Sequence, residues 1–320
     1  KAIVSSQIYA EDVRTMTFEG QSPTMIYENI SQRDVQGAAD EFRAVYDETK
    51  ARDGYVSLEV NPHLAHDTKG TIVEARRLWR ALNRPNVFIK VPATAEGLPA
   101  IQQLISEGIN VNITLLFGLP RYRQVAAAYL AGLEARVARG ESVEHVASVA
   151  SFFVSRIDTL VDPMLEHLIA QGGPTADAAK QVRGQVAIAS AVTAYQIYKN
   201  IFHSESFLKL ADRGARVQRL LWASTSTKNP DYSDLKYVES LIGADTVNTV
   251  TVGTLDAYRS HGEPKARLEQ NFESANHTLQ SLSGIGISID KVTQQLEDEG
   301  VEKFDRAFDK LMNALTQKST

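Results

Sequence analysis

The chain has 320 residues, no cysteine and a formal net charge of −5. The charge excludes a strongly basic nucleic-acid binder, and the missing thiols exclude disulfides, thiolate zinc sites and cysteine nucleophiles. At 43% hydrophobic and 23% charged, with no apolar run of membrane-spanning length and no apolar signal-peptide core in KAIVSSQIYAED, the sequence reads as globular.

In chain order, the first predicted strand is 55–60 (YVSLEV), followed by a helix over 71–82 with apolar residues at Ile72, Ala75, Leu78, Trp79 and Leu82. A strand at 86–92 (NVFIKVP), a short helix at 97–105 and a strand at 110–117 (NVNITLLF) come next. An alanine- and leucine-rich helix over 120–139 stops at Gly140. Strands follow at 146–154, 218–224 and 246–250, and one long helix over 176–202 precedes the fifth strand. Residues 263–320 read as mostly helical, with a break at 284–286.

Strands alternating with helices predict a parallel sheet with helical crossovers. Apolar runs such as ITLLF and FFV fit strands buried on both faces. Six strands are legible, where a closed (β/α)8 barrel has eight. An open doubly wound sheet accepts six, but neither G-x-G-x-x-G nor G-x-x-x-x-G-K-[ST] is present to support the open nucleotide-binding folds. The predicted organisation is one domain over 1–320, with 263–320 as a helical C-terminal extension packed on it.

In a parallel barrel, chemistry sits at the carboxyl ends of the strands. The polar residues there are Glu59, then Lys90, then Asn112 and Thr114, then Ser151 with Arg156 just beyond, and finally Ser224, Ser226 and Lys228. Neutral hydrogen bonders, one carboxylate and several cations at one mouth suit a hydroxylated anion such as a sugar phosphate. Lys90 interrupts an apolar strand. In general, burial favours the free amine, the form that attacks a carbonyl to give a Schiff base. The competing reading is a structural ion pair between Lys90 and Glu59. Glu59 is either an acid/base group for imine formation or a buried structural carboxylate. Asn112 and Thr114 share one face, as substrate contacts or as polar filler. The run Ser224-Thr225-Ser226-Thr227-Lys228 is a phosphate cradle or a solvated loop. Arg156 either clamps a second phosphate edge or pairs with Asp158 or Asp162. The pair His63 and His66 has no third ligand in sight, so no metal site is expected.

Five segments resemble the transaldolase family: DGYVSLEV (53–60), FIKVPAT (88–94), EGINVNITLLF (107–117), SFFVSR (151–156) and WASTSTKNP (222–230). They occur in family order along essentially the whole chain, and the lysine strand together with EGINVNITLLF is highly specific. The likeness is to the longer bacterial branch, some of whose members are fused to phosphoglucose isomerase. The resemblance implies a (β/α)8 barrel of the class I aldolase type. It implies Lys90 as the Schiff-base lysine, Glu59 as the glutamate acting through a water, and Thr114 as the threonine holding that water. It implies substrate contacts from Asn112 and Ser151 and phosphate contacts from Arg156 and Ser224. Lys228 stands near a position where many members have arginine, and Ser226 falls in a local insertion.

The family's first-strand aspartate and second-strand T-x-N-P-type motif have no match in this sequence. Lys1-Ala2-Ile3 resembles the stretch just after that second strand. With the strand count, this predicts that a piece of roughly 40 residues, two βα units, precedes Lys1.

The implied activity transfers a dihydroxyacetone unit between sugar phosphates in the non-oxidative pentose phosphate pathway: sedoheptulose 7-phosphate and glyceraldehyde 3-phosphate give erythrose 4-phosphate and fructose 6-phosphate. The protonated imine is the electron sink, so no metal or organic cofactor is expected. The expected partners are sugar-phosphate substrates, with no nucleic acid and no membrane. The pathway implies a cytoplasmic location. Two alternatives stand: a Schiff-base sugar-phosphate aldolase, and a non-catalytic sugar-phosphate-binding barrel.

Overall fold

A computed structural model of the chain describes residues 7–318. The Lys1-Ala2-Ile3 resemblance lies outside the described residues. Three helices come first: α1 (Ala10–Phe18), α2 (Pro23–Glu41) and α3 (Arg43–Glu48). Then β1 (Val56–Glu59), α4 (Thr68–Leu82), β2 (Val87–Pro92), α5 (Gly97–Ser106), β3 (Val111–Leu116), α6 (Leu119–Ala138) and β4 (Ser148–Phe153) alternate. Next are α7 (Ser155–Gln171), α8 (Pro174–Val182), α9 (Val186–Phe202), α10 (Glu205–Ala211), β5 (Arg219–Ala223), α11 (Lys236–Ser240) and β6 (Thr246–Asn248). Helices α12 (Val252–His261), α13 (Phe272–Gly284) and α14 (Ile289–Lys318) complete the described chain.

The six strands form one sheet in the order β1-β2-β3-β4-β5-β6, each pair parallel. Strands that neighbour one another in sequence order, each followed by a helix, follow the order of a (β/α) barrel rather than a doubly wound sheet. Among the described residues, β1 and β6 have one strand neighbour each.

Alternation along β2 shows how the layers are made. Val87, Ile89 and Val91 share one face and are fully buried, while Phe88 and Lys90 take the other face. Helices α4 and α5 both contact β2. Each such Val or Ile burial stabilises the fold by about 1.5–3 kcal/mol. Helix α4 begins one turn earlier than its apolar spacing predicts, because the Asp67 side chain accepts the Gly70 N–H at 2.9 Å and caps it. Asn83, in the left-handed region at φ +44°, ends it.

The predicted helix over 176–202 is two helices, and this is a correction. The chain leaves helical geometry at Arg183 (φ −55°, ψ 126°), and Gly184 follows at φ +70°. A Cβ on Gly184 would lie 2.6 Å from the Tyr232 hydroxyl. The amides freed by the break are held by carboxylates: Asp162 accepts Gly184 N–H at 2.8 Å and Asp158 accepts Ala187 N–H at 2.7 Å. The break is therefore built from α7, which lies elsewhere in the sequence.

The 30-residue helix α14 crosses the carboxyl ends of the strands, contacting the turn at Pro62–Leu64 after β1, β3 and α7. It also closes a small second core with α1 and α2, in which Val13, Ile26, Ile30 and Leu315 are buried.

Candidate active site

Parallel pairing places Glu59 beside Lys90, Lys90 beside Asn112, and Pro92 beside Thr114. Lys90 Nζ is 3.6 Å from Glu59 Oε2, and the two side chains keep 24% and 23% of their exposure. The ion pair foreseen as the structural alternative is thus present, and it is reachable from solvent. Glu59 Oε1 is buried without a hydrogen-bond partner among the described residues. Burial pushes the Glu59 carboxyl above its ordinary value, and the opposing pull of Lys90 does not cancel that.

Asn112 links three strands. Its Nδ2 donates to Ser57 Oγ at 3.1 Å, and its Oδ1 accepts from Ser151 Oγ at 2.7 Å. Both bonds orient the amide and leave the Lys90–Glu59 pair next to a fixed polar wall. Ser57 was not anticipated, although its place two residues before Glu59 puts it on the same face of β1.

Thr114 is fully buried and its Oγ1 has no partner among the described residues. It lies at a bulge: between Ile113 and Leu116 the register of β3 on β4 shifts, three steps on β3 matching two on β4. Leu115 takes a left-handed φ of +53°, a conformation costing a branched residue about 1–3 kcal/mol.

On the β4–β5 side, Ser224 also has a left-handed φ, +55°. Its carbonyl accepts Ser155 N–H at 3.0 Å, and the two hydroxyls lie 3.1 Å apart. The neighbouring Arg156 guanidinium stands 5.6 Å over the Phe153 ring and forms no ion pair with Asp158 or Asp162. Those carboxylates have other duties. The buried Asp158 accepts from Tyr237 Oη at 2.9 Å and faces Lys236 Nζ at 3.5 Å; Asp162 accepts from Tyr232 Oη at 2.7 Å. Burial pushes Asp158 up and Lys236 down, against their mutual attraction. This cluster ties α7 to the segment after β5 that carries the serines.

Ser226 accepts from Thr254 Oγ1 at 3.4 Å. Lys228 is exposed and lines a cavity of about 200 Å³ with Asp158, Asp162 and Glu166. Lys90, Glu59, Asn112 and Thr114 do not line that cavity. His63 meets Asp309 at 2.7 Å and His66 meets Glu96 at 3.0 Å, and no group of metal-binding size exists among the described residues. A larger cavity of about 270 Å³, lined by Lys50, Arg52, Arg216 and Arg219, lies at the amino ends of the strands, away from Lys90. Arg52 and Arg219 there are already paired with Asp245 and Asp53.

The class the fold defines is a parallel α/β sheet in barrel order, with a lysine and a glutamate paired at its carboxyl end beside a polar wall. The sequence profile described as Transaldolase/Fructose-6-phosphate aldolase matches residues 1–315, and the chain belongs to that family. Its fold class is the (β/α)8 barrel of the aldolases. The chain is 47% identical over 322 aligned positions to a protein named "Transaldolase" from Trichodesmium erythraeum, covering 99% of this chain and 85% of the relative. It is 46% identical over 325 positions to "Transaldolase 2" from Nostoc punctiforme, covering 99% and 85%. With "Transaldolase" from Saccharopolyspora erythraea the identity is 43% over 319 positions, covering 99% and 84%.

Proposed function

We propose that this chain is a transaldolase that carries a three-carbon ketol unit on Lys90. The observation that supports this most is the placing of Lys90, inward on β2 and 3.6 Å from Glu59. The Lys90 amine adds to the ketone of a ketose phosphate, forming a C–N bond and a carbinolamine. Loss of the carbinolamine hydroxyl as water gives the protonated imine. Glu59 exchanges the protons of that step through a water held at Thr114, a role that the raised carboxyl pKa and the two unpartnered buried oxygens support. The C–C bond next to the imine carbon's neighbour then breaks. Its electron pair enters the imine to give an enamine, the adjoining hydroxyl gives its proton to water, and an aldose phosphate leaves. The enamine adds to the acceptor aldehyde, whose oxygen takes up a proton, and hydrolysis of the resulting imine releases the new ketose phosphate and the Lys90 amine.

Asn112 and Ser151 serve the substrate hydroxyls. Arg156, Ser224 and, more remotely, Ser226 and Lys228 serve the phosphate. With no carboxylate partner among the described residues, Arg156 keeps its planar donors for a phosphate edge. We read 1–320 as one barrel domain with 263–320 as its helical extension. The motif set supports the longer bacterial branch, and the pathway reading supports a cytoplasmic enzyme.

Borohydride trapping with fructose 6-phosphate tests the reading. A three-carbon adduct on Lys90 supports it, and a folded protein that gives none refutes it. The family description also names fructose-6-phosphate aldolase. Release of free dihydroxyacetone at the same rate with and without an acceptor aldehyde would favour that activity over transfer.

A further inference from the structure

Thr114 is aimed by an irregular piece of backbone, and something must hold that piece in place. Leu115 is left-handed inside a strand, and the bulge inserts one extra residue opposite β4. The Leu115 side chain is buried.

What packs on it is α14. Thr293, Glu297, Gly300 and Phe304 recur at helical spacing and form one stripe along that helix. Glu297 holds Arg121 of α6 through bonds of 3.1 and 3.2 Å, with both side chains largely buried. Thr293 faces Gly118, where an added Cβ would lie 3.0 Å from Thr293 Oγ1. Gly300 faces the bulge itself: a Cβ there would lie 3.0 Å from Leu115 Cδ2 and 3.6 Å from Phe117 Cε2. Glycine inside a long helix is unfavourable by propensity, so its presence where a Cβ would crowd Leu115 calls for a packing reason.

We propose that Gly300 is a positioning residue: it lets α14 seat directly on Leu115 and so holds the β3 bulge that aims Thr114 at the Lys90–Glu59 pair. This rests on the role given above to Thr114 in imine formation. A side chain at 300 pushes Leu115 away, the bulge relaxes, and Thr114 turns out of line. The phosphate end of the site, after β4 and β5, is reached from this contact through Phe117 and Phe153, whose ring centroids lie 5.0 Å apart.

The test is a double-mutant cycle of Gly300→Val and Thr114→Ala, read by transfer kcat and KM and by the rate of borohydride-trappable imine formation. Gly300→Val is expected to slow imine formation and kcat by between about 10- and 100-fold, the scale of a small misplacement of a reacting group, with KM for the sugar phosphate within about twofold. In the Thr114→Ala background the same change is expected to cost almost nothing further. Leu115→Ala, which makes room, is expected to recover part of the rate in Gly300→Val. An equal cost of Gly300→Val with and without Thr114, or an effect on KM alone, overturns the proposal while leaving the role of Thr114 standing. A Thr114→Ala enzyme with unchanged imine rate overturns the reading of Thr114 and this proposal with it. If Gly300→Val does not fold, judged by circular dichroism, Gly300→Ala with its smaller intrusion is read by the same criteria.

Discussion

Glu59 Oε2 stands 3.6 Å from Lys90 Nζ, across neighbouring strands at a matched register position. The distance is that of an ion pair, longer than a good hydrogen bond. A pair made only for stability is expected to close that gap and to bury both oxygens against donors. Here Glu59 Oε1 is left without a partner, and the two side chains remain partly open to solvent. This geometry is what the proposed proton exchange during imine formation requires.

Replacing the amine tests the covalent step. Lys90→Ala is expected to lower transfer by more than about 10³-fold, in keeping with the loss of a covalent nucleophile. Intact mass after borohydride treatment is expected to show no adduct. Retention of full transfer activity would end the Schiff-base reading.

Glu59 carries a pH signature. Burial raises its carboxyl pKa above the ordinary 4.5, so the acid limb of the kcat/KM profile is expected above that value. Glu59→Gln is expected to remove this limb and to cost about 10²–10⁴-fold in rate. The stability sign follows from the same shift. A carboxyl with a raised folded-state pKa holds its proton more tightly when folded, so its ionised form costs stability at neutral pH. That cost fades as pH falls through the raised value toward 4.5. The melting temperature of Glu59→Gln at neutral pH is therefore expected to equal or exceed that of the parent, and a clear drop would contradict this.

Among the described residues Arg156 has no carboxylate partner, and it stands over the Phe153 ring. Arg156→Ala is expected to raise KM for fructose 6-phosphate by about 10- to 100-fold, equivalent to a charged hydrogen bond of about 1.5–3 kcal/mol. The reaction with unphosphorylated fructose is expected to be nearly unaffected. Equal losses with both sugars would remove the phosphate role.

The Asp158 cluster answers to stability. Asp158→Ala removes the partner of Tyr237, Lys236 and the Ala187 amide together. Breaking a buried charged cluster from one side is expected to cost about 3–5 kcal/mol in denaturant unfolding. A loss under about 1 kcal/mol would show that the cluster is only a solvated contact.

Much of this protein is local information. The strands at 86–92 and 110–117 are legible because apolar and β-branched residues cluster between turn signals, and the structure places β2 and β3 within those bounds. Period-two alternation by itself puts Ser57 with Glu59, and Asn112 with Thr114, on shared faces. The residue types at strand ends name the candidates, an amine, a carboxylate and a guanidinium, and leave open for each whether it serves a substrate or a structural pair. What the sequence did not disclose depends on residues far apart in the chain. The break at Gly184 is held by Asp158 and Asp162 of α7 and by Tyr232 beyond β5. The same contacts take those aspartates away from Arg156, their near neighbour in sequence. The left-handed Leu115 and its seat against Gly300 join β3 to the C-terminal helix. Periodicity reports which way a side chain faces along its own element. It carries no record of which distant element arrives there, because that choice is made by packing the whole core at once.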